Sequence, residues 1–227
     1  MSNDQCLVIG DSQTKFFELY LKKIKCEFKV GVDSKSGRKI QDVDCVPEAV
    51  KHNQHIILHL GTNNLSDGDA PSTIAGRFEK LIDDIRRVNP DSSIYVSSIL
   101  PRAVSGFSGS KMSAENIVFL NEKARRTNYL VTLAISRIER CHVINNNSLF
   151  MDSLNVVKTG LLSKDGLHLQ RAGIIALIVE LVCRRFNGTC YYTTQPRTSP
   201  SISLDYSVWI GDLYTLTVLY CMEFEYS

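Results

Sequence analysis

The chain has 227 residues, of which 44% are hydrophobic, and its formal net charge is +2. This length and apolar content suffice for one α/β domain with a full core. The nearly balanced charge does not favour nucleic acid as a partner of this domain. No uncharged apolar run reaches the roughly 18 residues that span a bilayer, so we expect no transmembrane segment. Residues 1–5 lack a basic region followed by an apolar core, which predicts no signal peptide and an intracellular, cytoplasmic location.

Apolar runs that end in glycine, proline or small polar residues predict five strands. Between them, apolar residues recur at helical spacing, and Pro71 suits a first helical position while Ser113 suits a helix cap. Alternating strands and helices indicate a parallel sheet covered on both faces. The predicted strands are 6–9, 28–32, 55–60, 93–100 and 141–144, and the predicted helices lie around 16–24, 40–50, 71–88, 113–124 and 170–182.

The pattern changes near residue 190, where a Pro/Ser/Thr-rich stretch begins, and no Lys or Arg follows Arg197. We therefore predict one domain over residues 5–188 and a C-terminal tail, residues 189–227, outside that domain. Gly188 suits the stop of the last helix. The Gly- and Ser-rich loop 103–112 is expected to be mobile.

A serine and an Asp-x-x-His motif are the candidate reactive groups. Ser12 follows the first predicted strand, at the sheet edge where open α/β folds bind ligands. A serine hydroxyl is a poor nucleophile at neutral pH and needs a base to take its proton. His168 suits that role, and Asp165 can orient the imidazole and stabilise its charged form.

Four separated blocks resemble, in order, those of the SGNH or GDSL-type hydrolase superfamily, over roughly residues 5–188. They are Gly10-Asp11-Ser12, Gly37 within Ser36-Gly37-Arg38, Gly61-Thr62-Asn63 and Asp165-Gly166-Leu167-His168. The resemblance implies that Ser12 is the nucleophile and that Gly37 and Asn63 donate N–H groups to an oxyanion. Gly31 is an alternative to Gly37, and Gln13 departs from the leucine of the commonest family motif. Three segments also resemble esterase-like domains in the first reading frame of some LINE retrotransposons. They are Leu58–Asn63, Ser98–Arg102 and Asp165–Leu169.

The resemblance implies a flavodoxin-like three-layer α/β/α fold with a five-stranded parallel sheet in the order 2-1-3-4-5. It also implies a serine esterase that acts on a small-molecule carboxylic ester, whether lipid, acetyl or another small acyl ester, without a metal or organic cofactor. A catalytically silent binding module for RNA, membrane or protein is the alternative function. A third hypothesis is that the chain comes from a degenerate copy of a mobile element and that its C-terminal tail has no role.

Two other features have competing interpretations. His52, His55 and His59 are candidate zinc ligands, but their spacing straddles a predicted loop and strand without a nearby cysteine. We therefore expect His59 to be a hydrogen-bonded histidine within its strand. Arg102, after Pro101 at a sheet edge, is either a substrate contact or a surface charge.

Overall fold

The computed structural model describes residues 5–25, 29–43, 48–109, 112–183 and 191–192. Five strands form one parallel sheet in the order β3-β1-β4-β5-β6, which confirms the predicted order 2-1-3-4-5 and the α/β class. Two short strands, β2 and β7, pair separately and antiparallel. The strands are β1 (Gln5–Gly10), β2 (Ile24–Lys25), β3 (Lys29–Ser34), β4 (His55–His59), β5 (Ser93–Ser97), β6 (Cys141–Ile144) and β7 (Tyr191–Tyr192).

Six helices are described, and two of them begin at the predicted signals. Pro71 opens α3, and the Ser113 Oγ accepts a hydrogen bond from the Asn116 N–H at the start of α4, at 3.2 Å. The helices are α1 (Phe17–Leu21), α2 (Thr62–Ser66), α3 (Pro71–Val88), α4 (Ala114–Ile135), α5 (Asn147–Phe150) and α6 (Arg171–Ile178), which continues as a π turn over Val179–Cys183.

Two predicted helices are shorter than the apolar spacing suggests. The stripe over 16–24 begins after a 3₁₀ turn (Ser12–Thr14) and ends at Leu21, because Ile24 enters β2. The segment 40–50 forms two 3₁₀ turns, Ile40–Asp42 and Glu48–His52, separated by residues that lie outside the described ranges. Residues 110–111 of the loop 103–112, and Gly188, also lie outside them.

The sheet is covered on both faces because its strands alternate between two apolar clusters. In β1, Leu7 and Ile9 join the cluster that contains α3 and α4 side chains. Cys6 and Val8 point the other way and join the cluster formed with α1 and α6. Burial on both faces requires a continuous apolar run rather than alternation with polar residues, and residues 6–9 form such a run.

The described part of the predicted tail touches the domain through one pairing. Tyr191 and Tyr192 lie opposite Lys25 and Ile24 in the antiparallel β2–β7 pair. The domain boundary at residues 188–189 stays a prediction, since residues 193–227 lie outside the described ranges. Within those ranges, no helix combines the length and apolarity needed to cross a membrane.

Candidate active site

The strand ends deliver the candidate residues to one edge of the sheet. Ser12 lies two residues beyond β1, Gly37 lies three residues beyond β3, and Asn63 lies near the start of α2 just after β4. Because β1 lies between β3 and β4, these three positions are neighbours at the carboxyl edge of the sheet.

Ser12, His168 and Asp165 form a hydrogen-bonded chain. The Ser12 Oγ lies 3.0 Å from the His168 Nε2, although the two residues are 156 positions apart. The other ring nitrogen, Nδ1, lies 2.6 Å from the Asp165 Oδ2. With Nδ1–H donated to the carboxylate, Nε2 presents its lone pair to the serine hydroxyl, as a general base requires.

The turn that carries Asp165 and His168 holds its own carboxylate in place. The Asp165 Oδ1 accepts hydrogen bonds from the backbone N–H groups of Leu167 and His168, at 2.8 and 2.9 Å, and from the Ser163 hydroxyl at 2.7 Å. Gly166 makes the turn possible, because its φ is +72° and a Cβ would lie 2.1 Å from the Ala103 carbonyl oxygen. A non-glycine residue here would displace the loop.

Asp165 remains ionised over the ordinary pH range. Burial opposes its negative charge, but the hydrogen bonds from His168, Ser163 and the two backbone N–H groups outweigh that effect. Together they hold the pKa of Asp165 well below its usual range. A charged carboxylate is therefore available to stabilise a positively charged imidazole.

Asn63 and the loop that contains Gly37 lie against each other. The Asn63 Nδ2 donates to the Arg38 carbonyl at 2.9 Å and makes a longer contact of 3.4 Å with the Asp11 Oδ2. Gly37 has a φ of +76°, which places it in the left-handed region. Gly31, the alternative, lies inside β3 opposite Leu7, away from the sheet edge. The geometry therefore favours Gly37 over Gly31 as the glycine near Ser12.

Asp11 is a buried carboxyl directly beside the serine. Its Oδ1 caps the 3₁₀ turn by accepting from the Gln13 N–H at 2.9 Å. Burial raises the pKa of Asp11 to about 6, against the opposing effects of that N–H and of positive charge at His168, Arg102 and Arg38. The group therefore titrates within the range in which the site would operate.

Three further residues support the candidate active site through side-chain hydrogen bonds that the sequence motifs do not predict. Arg102 is buried and its Nη2 donates to the Thr62 carbonyl, the Thr62 hydroxyl and the Ser66 hydroxyl, so it is not a surface charge. A contact of Arg102 with substrate stays a prediction. Asn64 is fully buried, and its Oδ1 accepts from the Ile40 N–H at 3.0 Å. Only its place beside Asn63, at the end of a buried strand, could have marked Asn64 in advance.

Gln13 is the third of these residues. It occupies the position where the commonest family motif has leucine, and both ends of its side-chain amide are hydrogen-bonded. Its Nε2 lies 3.0 Å from the Leu167 carbonyl oxygen, and its Oε1 lies 3.0 Å from the His59 Nε2. His59 is the hydrogen-bonded strand histidine that the sequence predicts, with its Nδ1 on Ser97. In the described ranges, no three His, Cys, Asp or Glu side chains are grouped as metal ligands would be.

A cavity of about 160 Å³ opens beside the serine. Ser12, Ser36 and His168 line its polar side. The rest of its lining comes from Gln13, Lys15, Phe16, Leu169 and Ile174. The arrangement can accept a small apolar group next to the Ser12 hydroxyl and the His168 imidazole.

Comparison with solved structures defines the class of fold. A Streptococcus pneumonia protein named for platelet activating factor is 20% identical and has a TM-score of 0.64, with 81% of this chain and 85% of that chain covered. A GDSL-like lipase from Bacteroides thetaiotaomicron is 12% identical with a TM-score of 0.61, over 81% and 89% of the two chains. An acetyl esterase mutant with an acetate ion is 11% identical with a TM-score of 0.56, over 81% and 97%. At these identities the likeness shows the fold, which is that of GDSL-type hydrolases.

The family follows from the sequence itself. The profile of the GDSL-like lipase/acylhydrolase family matches residues 28–173, more than half of the chain. The chain therefore belongs to this family of hydrolases. No curated protein matches the chain.

Proposed function

We propose that the chain is a serine esterase that hydrolyses a carboxylic ester through a Ser-His-Asp triad and an acyl-enzyme. One observation carries the proposal: the Ser12 Oγ lies 3.0 Å from the His168 Nε2, and the Asp165 carboxylate lies 2.6 Å from the other ring nitrogen. Membership of the acylhydrolase family supports the same reaction type.

In the proposed reaction, the Ser12 oxygen attacks the ester carbonyl while His168 takes the hydroxyl proton. The imidazolium, stabilised by Asp165, then gives that proton to the alcohol that leaves. A water molecule attacks the resulting acyl-enzyme with His168 again as base, and the acid is released. No step needs a metal or an organic cofactor.

The negative oxygen of the tetrahedral intermediate needs N–H donors. We assign the backbone N–H groups of Ser12 and Gly37 and the side-chain amide of Asn63 to this role. The Asn63 amide makes a long contact of 3.4 Å with the Asp11 Oδ2. We expect the oxyanion to replace Asp11 as the acceptor for this N–H, because an ionised oxygen forms a shorter and stronger hydrogen bond. Each such donor contributes typically about 10²- to 10³-fold to the rate.

The cavity favours a small acyl group among the ester classes that the family resemblance leaves open. Its volume of about 160 Å³ is below the usual range for drug-sized ligands, roughly 300–1,000 Å³. Phe16, Leu169 and Ile174 give it an apolar lining that suits a short hydrocarbon chain. An acetyl esterase among the structures of the same fold is consistent with this assignment.

A fluorophosphonate probe tests the proposal directly, because it labels an activated serine. Wild-type protein should be labelled, and Ser12→Ala protein should not. Nitrophenyl esters of increasing acyl length should then show falling kcat/KM beyond short chains. Folded wild-type protein that neither reacts with the probe nor hydrolyses any of these esters would overturn the proposal. Salt-dependent RNA binding by that same sample would favour the binding-module alternative instead.

We also propose that residues 5–188 form the domain and that the tail is dispensable. The β2–β7 pairing supplies a matched control, since a chain that ends at residue 192 keeps the pair and one that ends at residue 188 loses it. Both should unfold near the wild-type midpoint. If the chain that ends at residue 188 fails to fold while the one that ends at residue 192 is stable, the domain extends to residue 192 and the proposed boundary is wrong.

A further inference from the structure

A continuous series of buried polar side chains runs from the end of β6, at one side of the sheet, to the candidate active site. It joins Asn146, Ser97, His59 and Gln13, and it ends on the Leu167 carbonyl oxygen. The successive distances are 2.8 Å (Asn146 Nδ2 to Ser97 Oγ), 2.7 Å (Ser97 Oγ to His59 Nδ1), 3.0 Å (His59 Nε2 to Gln13 Oε1) and 3.0 Å (Gln13 Nε2 to Leu167 O). The four side chains come from three strand ends and the serine turn.

Chemistry fixes the direction of every bond in this series. A carbonyl oxygen can only accept, so the Gln13 Nε2 must donate to Leu167, and the Gln13 Oε1 is left to accept from the His59 Nε2–H. The His59 Nδ1 then carries a lone pair and accepts from the Ser97 hydroxyl. Ser97 in turn accepts from the Asn146 amide. All donors therefore point the same way, toward the active-site turn, which strengthens each bond through its neighbours.

Burial makes these bonds hard to replace. Gln13 is 4% exposed, His59 is 2% exposed, and Ser97 and Asn146 are 1% and 0% exposed. Water from bulk solvent cannot substitute for a missing partner, so breaking a bond leaves an unpaired polar group in the interior. Burial also lowers the pKa of His59 to about 4, so the ring remains neutral and keeps the single lone pair that the series needs.

The last bond of the series connects the two halves of the site. Gln13 follows Ser12 directly, and Leu167 precedes His168 directly. Hydrogen bonds inside the Asp165 turn orient His168 relative to Asp165, but they do not set the distance from His168 to Ser12. The Gln13–Leu167 bond spans that gap between the backbone of one turn and the side chain next to the nucleophile.

We propose that Gln13, held by His59 and Ser97, is a positioning residue that fixes the Leu167–His168 backbone against the serine turn. Its effect on the reaction rests on the proposed esterase function, while its effect on the structure of the turn does not. Gln13 acts through the position of His168 and takes no proton itself.

The decisive variant is Gln13→Met, which keeps the unbranched length of the side chain and removes both hydrogen bonds. We expect the rate constant for fluorophosphonate labelling and kcat for a short ester to fall about 10- to 100-fold, with little change in KM, because misplacement of a reacting group is costly. Ser97→Ala is the matched control. It removes the donor to His59 and leaves the Gln13–Leu167 bond, so it should lower stability and affect kcat less than Gln13→Met.

Amide hydrogen exchange separates this proposal from the proposed function. In Gln13→Met protein, the Leu167 and His168 amides should exchange at least about tenfold faster, while amides in the buried part of α3 exchange at the wild-type rate. If wild-type protein shows no esterase activity, the exchange result still decides the role of Gln13. Folded Gln13→Met protein with wild-type exchange at Leu167 and His168 would overturn the proposal. If that variant does not fold, Gln13→Leu gives the same comparison with the residue of the commonest family motif.

Discussion

Two histidines in this protein have opposite surroundings, although their side chains are chemically identical. The His168 side chain is 45% exposed and hydrogen-bonds to the Asp165 carboxylate at 2.6 Å. His59 is buried, and its two ring nitrogens contact only the neutral groups of Ser97 and Gln13. A ring that must accept and release a proton needs a carboxylate and access to substrate, whereas a ring that must remain neutral is best kept dry.

The comparison extends to the two layers in which these histidines lie. The outer layer, with Ser12 and His168, lines the cavity, and its imidazole would change charge in the proposed reaction. The inner layer, with His59 and Ser97, is almost completely buried and fixes geometry instead. Gln13 belongs to both, since it lines the cavity and hydrogen-bonds to His59. Variants in each layer should therefore fail in different ways.

The largest effect is expected for Ser12→Ala in the outer layer. Loss of the nucleophile should lower kcat at least about 10⁴-fold while the unfolding midpoint stays near that of wild type. Ser136→Ala, at the exposed serine that directly follows α4, is the control and should leave kcat unchanged. A Ser12→Ala enzyme within tenfold of wild type would place the nucleophile elsewhere.

Neighbouring asparagines offer a second contrast, between reaction and stability. Asn63→Ala should lower kcat about 10²- to 10³-fold through loss of an oxyanion donor. Asn64→Ala should instead cost about 1–3 kcal/mol of unfolding free energy, because it leaves the buried Ile40 N–H without its acceptor. Ester kinetics and denaturant unfolding on both variants check the pair. Equal losses of kcat in the two would argue against a direct role for Asn63.

His59 should make the folded protein sensitive to acid. Its pKa is about 4 when folded and 6.5 ordinarily, so the unfolded chain binds the proton first as pH falls. Wild-type protein therefore loses stability from this group between pH 6.5 and 4. His59→Gln cannot titrate, and its unfolding free energy relative to wild type should rise by about 3 kcal/mol between pH 7 and 4. A pH-independent difference between the two proteins would contradict a neutral, buried His59.

Asp11 should show the smallest effect, with the opposite sign. Its pKa is about 6 when folded and 3.8 ordinarily, so the folded chain binds the proton first as pH falls. Wild-type protein gains stability from this group between pH 7 and 4, which Asp11→Asn protein cannot do. The unfolding free energy of Asp11→Asn relative to wild type should therefore fall by about 2 kcal/mol over that range. For the double variant Asp11→Asn/His59→Gln, the unfolding free energy relative to wild type should change little between pH 7 and 4, since the two contributions offset each other.

Much of the fold could be predicted because it depends on local patterns. The apolar runs at 6–9 and 55–60 and the Pro71 signal lead to β1, β4 and α3 at nearly the predicted bounds. The Ser113 signal marks the start of α4, which continues to Ile135, well beyond the predicted end near residue 124. The helix stripe at 16–24 was predicted too long, because pairing of Ile24 with Tyr192 is a long-range contact that helical spacing does not encode. The surface-charge interpretation of Arg102 was wrong for a related reason, since the acceptors on Thr62 and Ser66 that hold it in the interior come from another part of the chain.

By itself the sequence determined the class of fold and the residue types available for acyl transfer, because periodicity and short motifs are properties of neighbouring positions. The family and the strand order followed from the resemblance of four separated motifs to those of GDSL-type hydrolases. Only the tertiary structure decided that Ser12 and His168 come within 3.0 Å, that Asp11 is buried beside them, and that Gln13 joins His59 to the Leu167 carbonyl. Distances between remote positions, and the burial that sets a pKa, arise when the two turns pack at one sheet edge. No window of neighbouring residues contains that information.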